Sequence, residues 1–68
     1  MREMILDALV KNAEGCIALH KANIEVYLNS STGIGEHSDV LEAIQSELDK
    51  IAEHQDRLDV LYTHFKEV

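Results

Sequence analysis

Glu3, Asp7, Lys11, Glu14, Ala18, Lys21 and Glu25 follow one another at steps of three and four residues. On a helix with 3.6 residues per turn they form one narrow stripe. Nearly everything else in this first segment is apolar or small. One face carries Leu6, Val10, Ala13, Ile17, Ile24 and Leu28. A second, a third to a half turn away, carries Ile5, Ala8, Gly15, Leu19, Ala22 and Val26. A helix this widely apolar needs more than one neighbour to keep its surface dry.

The rest of the chain offers one such neighbour. Leu41, Ile44, Leu48, Ile51, Gln55, Leu58, Tyr62 and Phe65 recur at alternating three- and four-residue steps, an a/d frame with Gln55 its one polar member. Val40, Ala43 and Ala52 widen that stripe. Glu42, Ser46, Asp49, Glu53, Asp56, Arg57 and Glu67 lie opposite it. Helix 2 therefore buries one side, and Glu53 and Arg57 sit at the favourable i,i+4 spacing. Between the two segments, the stretch 29–37 breaks the periodicity. Gly33 and Gly35 there allow backbone angles other residues avoid, and Asn29 tolerates a left-handed helix end. Ser38 suits an N-cap and Asp39 the first turn.

These elements predict an all-α chain with a single domain, an antiparallel two-helix hairpin. Its helix 1 covers about residues 2–28, its corner 29–37 and its helix 2 about 38–66. In a lone hairpin one face of helix 1 stays wet. The simplest remedy is a homodimeric four-helix bundle, or a higher even oligomer, with helix 1 central. The faces led by Leu6 and Leu41 would form its core. The Ile5–Val26 face would be a second interface, where Gly15, Ala8 and Ala22 permit close approach. His20, Asn23 and Gln55 interrupt the apolar surfaces, as single polar positions do when they specify register and partner.

Size points the same way. A 68-residue core is marginal alone, and Cys16, the single cysteine, excludes an internal disulfide. Thirteen acidic against six basic residues give a charge of −7, with no basic cluster. Nucleic-acid binding and attachment to anionic membranes both need such clusters, so neither is expected. No apolar run is long enough to span a bilayer, and the start of the sequence does not read as a secretory signal because Asp7 interrupts its apolar run.

Reactive chemistry finds little footing. Cys16 and His20, four residues apart, share a helix face, but a transition metal would need two further ligands. No Cys-x-x-Cys or Glu-x-x-His motif supplies them. No metal or cofactor is expected. Ser30, Ser31, Thr32 and Ser38 neighbour Glu36 and His37, yet proximity in sequence is not triad geometry. The Gly33-x-Gly35 segment lacks the preceding strand and the lysine of a phosphate loop. The chain reads as a non-enzyme. Gly33, Gly35, Glu36 and His37 are the corner positions suited to an external contact. The alternative reading is a small-ligand or metal-binding helical oligomer.

Four stretches carry a resemblance: Ala13-Glu14-Gly15, Ala22 to Leu28, Gly33 to His37, and Glu42-Ala43-Ile44. In these the chain resembles short uncharacterised helical proteins of marine tailed phages, cyanophage-type, and of marine metagenomes. The resemblance implies a protein that is not secreted and works in the cytoplasm of a host bacterium or in the virion; it implies no catalytic or binding residue. The layout also resembles small dimeric hairpin regulators of the Rop kind, in architecture only. The expectation is an adaptor or modulator acting through protein–protein contacts with itself and a further protein.

Overall fold

A computed structural model describes residues 1–29 and 38–66. Two helices account for nearly all of them: α1, Arg2–Asn29, and α2, Ser38–His64. They lie antiparallel, since Arg2 Nη2 donates to the Phe65 carbonyl at 2.6 Å while Asn23 meets Glu47 near the other end. The fold is therefore an all-α helical hairpin. The corner residues Gly33, Gly35, Glu36 and His37 lie outside the described residues, as does Glu67.

The helix ends follow local chemistry. Glu3 and Asp39 occupy the first turns, where a negative charge meets the positive end of the helix dipole. Asn29, expected just outside α1, instead belongs to its last turn, and its Nδ2 donates to the Glu25 carbonyl at 2.8 Å. α2 stops at His64 rather than running to 66. There the Phe65 and Lys66 amides both turn back to the Leu61 carbonyl, at 2.9 and 3.0 Å. The second of these is the six-to-one bond of a Schellman-type helix end.

One seam holds the helices together. Val10, Ala13 and Leu58 are its buried apolar residues, with Ile17 and Leu61 packed against them. Leu6, Ile24, Ile44 and Ile51 are half-buried around this centre. The molecule is elongated, measuring 50 × 16 × 15 Å across its Cα atoms. With two helices only, the described residues share one strip of contact.

The seam on α2 departs from the a/d frame expected from the sequence. Its inward positions are Val40, Ile44, Glu47, Ile51, His54, Leu58 and Leu61. Ile44, Ile51 and Leu58 belong to both frames. Leu41, Leu48, Gln55, Tyr62 and Phe65 are exposed on the hairpin. Apolar weight alone favours the frame through Leu41 and Leu48. The observed one carries the polar partners that α1 presents across the seam.

This placement separates two leucines ten residues apart. Leu58 is 9% exposed and Leu48 50%. In urea unfolding at fixed protein concentration, Leu58→Ala should cost about 2–3 kcal/mol, the lower part of the range for buried leucine truncation. Leu48→Ala should cost under about 1 kcal/mol.

Candidate functional site

The least ordinary chemistry lies inside the seam. His20 and Asn23 come from one face of α1, three residues apart, where an apolar stripe would continue from Ile17 to Ile24. Glu47 and His54 come from α2, seven residues apart and on one line. Antiparallel packing brings the four together.

Glu47 is the hub. One carboxylate oxygen, Oε1, accepts from Asn23 Nδ2. The other, Oε2, lies 3.1 Å from His20 Nδ1. For a neutral imidazole that contact requires the proton on Nδ1, because a carboxylate only accepts. The Asn23 bond first, and the His20 bond after it, hold the Glu47 carboxyl below its ordinary value of 4.5. Glu47 is thus a carboxylate at neutral pH, with the side chains of both contacting residues supplied by α1.

His54 is only 8% exposed. Its ring lies nearly parallel to that of His20, with centroids 6.2 Å apart and planes 13° from parallel. Its Nδ1 is buried without a hydrogen-bond partner. An orphaned buried nitrogen costs on the order of 1–3 kcal/mol. His54 is therefore a feature that destabilises the hairpin locally while Glu47 ties it together.

A second polar grouping closes the open end. Lys66 Nζ reaches Asp7 at 2.9 Å, lowering the Asp7 carboxyl and raising the Lys66 amine, in each case chiefly through that bond. Lys66 also sits over the Tyr62 ring, 6.0 Å from its centroid. With the Arg2–Phe65 bond, this clasp joins the start of α1 to the end of α2. Glu53 and Arg57 pair at 3.5 Å, but both are well exposed and contribute little.

Of the residues singled out from the sequence, His20 and Asn23 meet at Glu47. Gln55 lies apart from them on the exposed side of α2 and bonds Asp59 at 3.3 Å. Cys16 is a free, half-buried thiol one turn before His20. Glu47 and His54 were not singled out. Their signal was weak, because each interrupts the apolar periodicity of α2 and so reads as solvent-facing. Only the polar residues at matching heights on α1 give them a partner.

Among the described residues, no three His, Cys, Asp or Glu side chains are gathered so as to hold a metal ion. Among the described residues, clefts of about 340 and 290 Å³ open at the Asp7–Lys66 clasp and between Leu9 and Val60. Neither is lined by the His20–Glu47–His54 group. No described helix is long and apolar enough to cross a membrane. No family model, curated protein or solved structure matches the chain.

Two measurements follow from this arrangement. His54→Leu keeps the volume roughly and removes the orphaned nitrogen, so its unfolding free energy should rise by about 1–2 kcal/mol in urea. Glu47 acts through pH. Its folded value lies below 4.5, so its stabilisation holds above that pH and is lost as pH falls through the lowered value. Glu47→Gln should therefore flatten the acid limb of a thermal-stability profile, whereas Asp7→Asn should leave the share due to Glu47 in place.

Proposed function

We propose that this chain is a non-enzymatic helical hairpin that acts through protein–protein contacts, the first of them with another copy of itself. The observation that carries the reading is the outer face of α1. Met4, Ile5, Leu9, Leu19 and Val26 are all exposed there, Leu19 by 57% and Val26 by 64%. The helical spacing of Gly15, Ala8 and Val26 puts them on the side of α1 opposite the buried Val10 and Ala13. Five of the six charged residues from Glu3 to Glu25 lie to one side of this strip, and Lys11 stands at its margin. A contiguous apolar strip of this kind marks an interaction site.

Area supports a second copy as the occupant. A compact monomer of 7.7 kDa would expose about 4,300 Å². The whole chain exposes 5262 Å², roughly 900 Å² more, as its elongated shape requires. A standard-size interface buries about 800 Å² on each partner. Two hairpins joined by their α1 helices would form a four-helix bundle with α1 at its centre. Its outer surface, carrying the charge of −7 from each chain, would be left for a further protein partner, one bearing a complementary basic surface. The resemblance to short phage proteins supplies the setting, a host bacterial cell or a virion. The seam cluster around Glu47 then serves alignment rather than chemistry.

Light scattering after size exclusion tests this directly. At tens of micromolar the mass should be twice 7.7 kDa or a higher even multiple. Because the contact face is largely apolar and the chains, each of charge −7, repel, the dissociation constant should fall as salt rises. A folded monomer at all salt concentrations would sink the proposal.

A further inference from the structure

Resting on that self-association, we infer the geometry of the contact: two α1 helices pack antiparallel through their outer faces, crossing at Gly15 about a two-fold axis. Gly15 lies at the midpoint of α1, which runs from Arg2 to Asn29. A Cβ built on it would meet nothing within 4 Å, so packing inside the hairpin gives no reason for a glycine there. A mid-helix glycine costs about 1 kcal/mol relative to alanine. Close approach of a partner helix accounts for it, since absence of a side chain lets two backbones come together.

The surroundings of Gly15 are nearly symmetric along the helix. Ala8 and Ala22 lie seven residues to either side, two turns each way and on the same line. Ile5 and Val26 lie beyond them near the two ends. A two-fold axis beside Gly15 brings Ala8 of one copy to Ala22 of the other. It also brings the large residues near each end, Ile5 and Val26, alongside one another. Small residues then meet at the crossing and larger ones fill the space where the helices diverge.

Charge selects the antiparallel sense. Lys11 borders the apolar face most closely among the charged residues of α1, by its angle from Gly15. A parallel, in-register pair would set it beside its own copy. The antiparallel pair separates the two by about 12 Å along the axis, eight residues of helical rise. The last turn of α1 has no basic residue to meet its negative dipole end. Antiparallel packing places the positive N-terminal end of the other α1 beside it. A parallel pair would have only Asn12 beside its copy as compensation, and Asn12 is exposed at the margin of the face.

The test uses the full chain with Cys16→Ala as background, and Ala8→Cys or Ala22→Cys added singly. Both alanines are exposed and should tolerate the change. Under mild oxidation or with a short bis-maleimide, an equimolar mixture of the two variants should give a crosslinked heterodimer. Each variant alone should give little product, because like positions stand about 21 Å apart along the axis. Efficient crosslinking of each variant with itself would show a parallel pair and overturn the inference. A dimer by light scattering that crosslinks in neither way would place the contact elsewhere, overturning the geometry but not self-association. A monomer would overturn both. Gly15→Leu provides an independent reading. It has room within the hairpin, so helical ellipticity should persist while the dissociation constant rises at least tenfold. An unchanged dissociation constant would exclude a crossing at Gly15.

Discussion

The single seam between α1 and α2 governs everything else in this molecule. Two helices laid side by side share one strip of contact, and each turns most of its circumference outward. Burial in the seam is therefore concentrated on Val10, Ala13 and Leu58. A compact domain of equal length would spread that burial over several layers. Every residue outside the strip has to justify its chemistry against water or against another protein. Helix α2 does so with an acidic outer face. Helix α1 does so along one stripe, Glu3 to Glu25, and leaves Met4, Ile5, Leu9, Leu19 and Val26 exposed beside it.

Within so thin a seam, a carboxylate is an unexpected occupant. A wholly apolar strip would hold the helices together, but it would also let them slide, because one leucine–isoleucine contact is much like the next. Glu47 removes that freedom. Shifting α2 by one heptad would withdraw the carboxylate from both Asn23 and His20. The penalty for burying such a charge unpaired exceeds what an extra methyl contact returns. The bond network thus selects one alignment, and the orphaned nitrogen of His54 is a local cost beside it. The Lys66–Asp7 clasp fixes the opposite end in the same register.

The sequence made the helices easy to place and their seam harder. The solvent stripe Glu3, Asp7, Lys11, Glu14, Lys21, Glu25 is exposed along its whole length, because charge on one line of a helix has a simple reading. The ends lie within one or two residues of the periodic segments, where a side chain or a returning amide settles the boundary, as with Asn29 and the Leu61 carbonyl. On α2 the difficulty was physical. Two frames share Ile44, Ile51 and Leu58, and periodicity within a single helix ranks them by hydrophobicity. The frame with Leu41, Leu48 and Tyr62 wins that ranking. The pairing of Glu47 with His20 and Asn23 is a property of two helices together, and no count along one of them contains it.

That same ambiguity explains why α2 carries apolar residues on the flank of the seam. Leu41, Leu48 and Tyr62 form a stripe broken by Gln55 and bordered by Asp59. The outer face of α1 is interrupted by Asn12 and edged by Lys11 before Asn23 turns to Glu47. Where two apolar surfaces compete to exclude water, the longer and less interrupted one gains more from contact. It also brings less charge together, which matters between chains that each carry −7. The proposed association through α1 would leave the acidic face of α2 outermost, so one arrangement would both dry the wider apolar helix and keep like charges apart. A contact through α2 would achieve neither, since α1 would stay wet and Asp59 would be drawn into the interface.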